Sequence, residues 1–197
     1  MRFQSIARSL LLSIAVTSSF VPNSARAQDE ISFGQIVDLL FKFGQDAICI
    51  EQGNTHPSFK GSLADLNLAA PTTLATLLHS GGFASEMRGK TLILYDAKTR
   101  ESGDRYLLNR TIPNLSFRGA SVEEILKKIG DQFGLEILSE SSLSSQQEKM
   151  NTKFDLDLKG ITLRDALFLL AEKAGFRTWS AAPVNFGNHH SFLVRFQ

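Results

Sequence analysis

The spacing of apolar residues changes period repeatedly between Leu115 and Phe176. Leu115 and Phe117 flank Ser116, as residues on the inner face of a strand do. Val122, Ile125, Leu126, Ile129 and Phe133 then recur at helical steps, which predicts a helix with one apolar face. Ser121 and Glu124 have capping-box spacing, in which each side chain accepts a hydrogen bond from the other residue's backbone N–H. Gly134 is placed to take the left-handed conformation that ends a helix, and Leu135 to Leu138 read as a strand. Phe154, Leu156 and Leu158 alternate with Asp155, Asp157 and Lys159, which predicts a strand wet on one face. Thr162 caps a second helix with Leu163, Ala166, Leu167, Leu170 and Ala174 on its inner side, and Gly175 ends it.

Residues 31–97 carry a weaker version of the same order. Ser32 and Gln35 form a second capping box, followed by Ile36, Val37, Leu39, Leu40 and Phe43, with Gly44 as the stop. A strand over Ala47 to Glu51, a loop from Gly53 to Gly61, a strand at Leu66-Asn67-Leu68 and a helix from Pro71 to His79 follow. Gly82-Phe83 matches Gly175-Phe176. Each half closes on a hairpin pattern: Ala84 to Met87 with Thr91 to Tyr95, and Arg177 to Ser180 with Ser191 to Phe196. The expected class is therefore α+β, as two small tandem modules. Each would be a two-layer βαβ-βαββ unit with a mixed sheet and two helices. Residues 28–97 form the first module and 112–197 the second, joined by a polar linker over 98–111 with strand character at Tyr106 to Leu108. Ser139 to Asn151, rich in serine and glutamine, reads as an exposed loop.

The N-terminus changes the picture of where such a chain works. Arg2 and Arg8 precede a short apolar run broken by Ser13, Thr17, Ser18 and Ser19. That run is too short and too polar to span a bilayer, and Ala25-Arg26-Ala27 has the small residues of a cleavage site. Residues 1–27 are thus expected to be a signal peptide cut after Ala27, which places the mature chain in the periplasm. No cysteine directly follows that run, and no later segment is long enough for a transmembrane helix. Cleavage removes three arginines and no acid, which takes the net charge from +1 to about −2. A slightly acidic chain lacks the basic face that phosphate binding needs, so no nucleic acid is expected as a partner. Cys49, the one cysteine, lies in the apolar run Ala47-Ile48-Cys49-Ile50 and reads as a small core filler.

Candidate chemistry is sparse. His189-His190 precedes the last strand, and adjacent strand residues point to opposite faces, which suits no shared metal. Asp155 and Asp157 share a strand face, but their alternation with Phe154, Leu156 and Leu158 makes them the wet side of an amphipathic strand. No phosphate loop, nucleophile elbow or zinc helix occurs. The sequence therefore indicates no catalytic residue, no cofactor and no metal site. Trp179 on the exit strand, and Phe192, Val194 and Phe196 on the last strand, are the candidate partner-binding residues, as an interface anchor and as an edge strand open to addition. The alternatives are a core tryptophan and a strand already paired within its hairpin.

Leu115-Ser116-Phe117, Ser121 to Gly134, Leu135 to Leu138, Phe154 to Gly160 and Thr162 to Trp179 together resemble the secretin and TonB short N-terminal domain family. The resemblance covers about 80 residues well and the first half more weakly. It implies a non-enzymatic docking module, similar to the N-terminal periplasmic domain of secretins and TonB-dependent receptors. It also implies a protein partner in the periplasm or at the outer membrane, in a secretion, pilus or conjugation machine or in transmembrane signalling. The sequence ends at Gln197 with no barrel-like region after the module, so a free-standing periplasmic piece is expected. A periplasmic small-ligand sensor, with a ligand between the two modules, is the alternative reading, and a small exported hydrolase is a third.

Overall fold

The structure, a computed structural model, describes residues 30–42, 44–45, 47–53, 59–60, 71–141, 146–186 and 189–197. The signal peptide over 1–27 and the strand at Leu66-Asn67-Leu68 lie outside these residues. The architecture is α+β. In the first half the elements are β1 (Glu30–Ile31), α1 (Phe33–Lys42), β2 (Ile48–Glu51), β3 (Phe59–Lys60), α2 (Pro71–Ser80), β4 (Phe83–Arg88) and β5 (Thr91–Asp96). A connection follows, made of α3 (Ala97–Arg100) and two 3-10 turns at Gly103–Arg105 and Leu107–Asn109. The second half holds β6 (Leu115–Ala120), α4 (Val122–Phe133), β7 (Glu136–Ser141), α5 (Gln147–Asn151), β8 (Phe154–Leu158), α6 (Leu163–Ala174), β9 (Trp179–Phe186) and β10 (His189–Phe196).

Local signals account for several of the helix ends. Ser121 accepts the Glu124 N–H and Glu124 accepts the Ser121 N–H at 2.8 Å, closing the capping box of α4. Ser32 and Gln35 exchange the same bonds before α1. Thr162 accepts from the Asp165 N–H, and its own hydroxyl donates to the Asp165 carboxylate. Gly134 and Gly175 stop α4 and α6 at φ of 63° and 76°, a conformation costly to any residue with a Cβ.

The strands do not make two separate module sheets. β4-β5-β2-β9-β10-β7 form one continuous six-stranded sheet, while β1-β3 and β6-β8 are antiparallel pairs apart from it. Within the large sheet the two halves share one strand plan. β4 runs antiparallel to β5 and β5 parallel to β2; β9 runs antiparallel to β10 and β10 parallel to β7. The halves meet where β2 runs parallel to β9, with Ile50 opposite Ser180 and Glu51 opposite Ala181. Left to right the order repeats, but the strand directions reverse, so the second half is turned over relative to the first. The helices follow. Ile48, Leu92 and Leu94 pack with Ile36, Leu39 and Leu78 of α1 and α2 on the back of the sheet. Ile137, Trp179, Phe192, Val194 and Phe196 pack with α4 and α6 on the front.

The front of the first half is then covered by the second. Cys49 and Ile93 belong to the same core as Leu163, Leu167 and Trp179. Arg164 of α6 reaches β2, where its Nε and Nη2 donate to both carboxylate oxygens of Glu51 at 2.5 and 2.8 Å. Its Nη2 also donates to Asn109 Oδ1 at 2.8 Å. Further along α6, Asp165 accepts from Arg88 of β4 at 2.6 Å, and Arg88 lies 4.1 Å over the Phe168 ring.

The expected linker over 98–111 is part of this joint. Of Tyr106 to Leu108, expected with strand character, Tyr106 is extended while Leu107 and Leu108 open a 3-10 turn, and all three are buried. Asn109 is free to hold Arg164 because its amide nitrogen is spent on the Arg100 and Gly103 carbonyls. The Ser139–Asn151 loop is also shorter than expected. β7 runs to Ser141, and α5 forms over Gln147–Asn151 because Met150 is buried in the core. The Gly53–Gly61 loop contains β3, fixed by its pairing with β1 and by the fully buried Phe59.

Glu51 is fully buried and Arg164 nearly so. Arg164→Met should strand the carboxylate and lower stability in urea unfolding by about 3–5 kcal/mol. Replacing both with methionine should recover most of that loss. Equal losses in the single and double variants would mean that the unpaired charge is not the cause.

Candidate docking surface

The residues the sequence offered for partner binding are in the core. Trp179 is 1% exposed, and Phe192, Val194 and Phe196 are equally covered. Trp179 stands edge-on to Phe168 at 5.2 Å, Phe196 stacks near Phe176 at 5.1 Å, and Phe192 meets Tyr106 at 6.4 Å. β10 is not an edge strand, because β9 and β7 flank it. The reason is the parallel return of β7, a pairing that no local spacing encodes. Alternation correctly marks one face of β10 as apolar, but it cannot say whether that face looks at a helix or a partner.

The polar candidates are likewise accounted for. Asp157 hydrogen-bonds Ser116 and pairs with Arg118 at 3.1 Å; these contacts, Ser116 first, hold its carboxyl below the usual range. Asp155 accepts the Gly119 N–H at 2.8 Å, across the irregular register of the β6-β8 pair. Both carboxylates thus fix the β6-β8 ribbon and do not face each other as an acid–base pair. His189 and His190 open β10, and their side chains lie outside the described residues. Among the described residues no three His, Cys, Asp or Glu side chains gather as a metal site would require. Burial pushes the Cys49 thiol up to about 12, so the folded protein holds it neutral and unreactive. A shallow depression of about 480 Å³ beside the start of α4 is lined by Ser121, Glu123, Glu124, Lys127, Asn151 and Lys153. Its walls are charged, unlike the apolar cavity that a small-molecule site presents. The joint between the halves, the place of the ligand in the sensor reading, is filled by Glu51, Arg164, Asn109 and Tyr106.

What remains is the sheet itself. Among the described residues no strand lies beyond β4 at one end or beyond β7 at the other. Each end strand has six residues and so presents backbone N–H and C=O groups along one side. FASEMR and EILSES contain no proline or lysine, and their charged side chains are engaged within the chain: Arg88 with Asp165, Glu86 with Arg100, Glu136 with Ser191 and Glu140 with Arg195. Met87 on β4 is one of the large apolar residues left exposed, at 44%. The back of the second half is also uncovered by its own helices: Leu138, Ala182, Val184 and Leu193 lie there half-buried, with Arg195 and Glu140 paired at 2.8 Å. Sequence reading located β4 and β7 as strands but missed β7 as an end, because strand order across the joint is a long-range property.

Comparison of the chain with protein-family models, with curated proteins and with solved structures finds no match. Among the described residues no helix is long and apolar enough to cross a membrane.

Trp179→Ala should cost about 3–5 kcal/mol in chemical unfolding, as large aromatic truncations in packed cores do. A loss below about 1 kcal/mol would place the indole outside the core. Alkaline pH should also report on Cys49. An unfolded thiol titrates near pH ~8.5, and the folded one near about 12. Its contribution is complete below the lower value and is lost as pH rises toward the upper one, by at most ~1.4 kcal/mol per pH unit. Tyr106, also raised by burial, adds to this loss only above pH ~10. Cys49→Ala should flatten the slope of stability between those two onset values; an unchanged slope would show that the thiol titrates freely.

Proposed function

We propose that this chain is a non-enzymatic, exported docking protein that binds a protein partner through the ends of its six-stranded sheet. The observation that carries the reading is the pair of unblocked end strands, β4 and β7, on a chain whose apolar candidates are otherwise buried. An end strand binds an incoming strand by main-chain hydrogen bonds, and alternate side chains set the choice of partner. Met87 on β4 and the half-buried Leu138 on β7 supply apolar contact beside those bonds.

The pattern shared with the secretin and TonB short N-terminal domain family supports the same reading and suggests the place. The partner would be a periplasmic or outer-membrane component of a secretion, pilus or conjugation machine, or of a transmembrane signalling receptor. The signal-like residues 1–27 accord with export.

A photo-crosslinking amino acid placed at Met87 tests this in the producing cell. The expected result is a discrete protein adduct recovered with the periplasmic or outer-membrane fraction, and weakened at least tenfold by a charged substitution at Ser85. Absence of any protein adduct from both Met87 and Leu138 would sink the docking reading.

A further inference from the structure

The joint between β2 and β9 is itself a strand addition, and the two sheet ends are its unused counterparts. β2 and β7 hold the same place in their halves: each follows the first helix and runs parallel to the second hairpin strand. β4 and β9 likewise hold the same place, as first strands of the hairpins. Inside the chain the β2-type strand of the first half has met the β9-type strand of the second. The β7 end and the β4 end are therefore a complementary pair, left one on each side of the molecule.

We infer that the docking partner includes a second copy of this chain, added head to tail with β7 of one copy running parallel to β4 of the next. The inference rests on the docking reading and specifies its occupant. Strand direction is consistent. Since β4 is antiparallel to β5, β5 parallel to β2, β2 to β9, and β9 antiparallel to β10, β7 and β4 run the same way. A copy carried along the sheet without being turned over thus presents β4 to β7 in the parallel sense found at the internal joint.

The register follows as well. Ile48 opposite Leu92 in the first half corresponds to Ile137 opposite Phe192 in the second, all facing their own helices. On that correspondence Glu51 matches Glu140. Ala181, opposite Val194, matches Ser85, opposite Leu94. The internal pairing of Glu51 with Ala181 then places Glu140 of one copy opposite Ser85 of the next. Both lie on the back of the sheet, as the alternation requires. The uncovered back face has a counterpart too. At the internal joint, α6 extends over β2 and β4 of the other half, through Arg164 and Asp165. Its counterpart α2, on the back of the first half, would extend over Leu138 and Leu193 of the neighbouring copy. Such an interface is heterologous, so it propagates into a ring or an open filament according to the sheet twist.

The test is a double variant of the full chain, Ser85→Cys with Glu140→Cys, oxidised under mild conditions. The two positions stand at opposite ends of a six-stranded sheet, roughly 24 Å apart at ~4.8 Å per strand, so no bond can form within one copy. Cys49 stays buried and serves as a silent internal thiol. The expected result is a ladder of dimers and larger species, at least tenfold more abundant than from Ser85→Cys with Glu136→Cys. Glu136 faces the same way as Glu140 but sits about four residues, ~13 Å, out of register. Sedimentation velocity on the unmodified protein should show mass rising with concentration. A chain that stays monomeric at every concentration, with equal trace crosslinking from both pairs, would overturn self-addition. If the Met87 photo-adduct is then a different polypeptide, docking stands with another occupant; if there is no adduct, both readings fall together.

Discussion

The tertiary structure hangs on the parallel contact between β2 and β9. β2 is only four residues long, and its far side would be an open edge in a module standing alone. Pairing with β9 satisfies that edge and brings α6 across the front of the first half. The Glu51–Arg164 pair then forms in a place with almost no water. Such a pair stabilises little by itself, because desolvation offsets much of the attraction. Its value is in register: bidentate geometry accepts one position of α6 over β2, and Asn109 reinforces it from the connection.

Because the second half is turned over, its helices and those of the first half lie on opposite sides of one sheet. The front of the first half and the back of the second are thus in equivalent positions. One is buried by α6, so Cys49 and Ile93 can be apolar and fully covered. The other keeps Arg195, Glu140 and half-buried aliphatic residues, a composition tolerable in water and also compatible with cover. The same difference separates the strand edges. Within the six-stranded sheet the internal edges are consumed in the joint, while β4 and β7 remain as its ends.

A chain of this size could have formed two small domains, each near the lower limit for a self-sufficient core. Sharing one sheet and one front core avoids that limit. The residues of the connection show how completely the halves depend on each other. Tyr106, Leu107, Leu108 and Ile112 are all buried among side chains of both halves, with Ile112 and Leu163 tied by backbone bonds to Ile161 and Arg110.

What the sequence determined by itself was local. Helix ends, capping boxes, the left-handed glycines and the inner faces of α4, α6 and β8 follow from spacing and side-chain chemistry within a few residues. Spacing also marked the order of elements that recurs in both halves. Tertiary structure decided the rest: that the halves share a sheet, that Leu107 and Leu108 coil and do not extend, that Met150 makes a helix from a polar loop, and that β10 lies inside while β4 and β7 lie at the ends. Each depends on contacts between residues tens of positions apart. An alternating strand reads the same in sequence whether its neighbour is water, a helix or another strand, so the pattern gave Trp179 and Phe196 no address. Only the paired backbone of β2 and β9 supplied one.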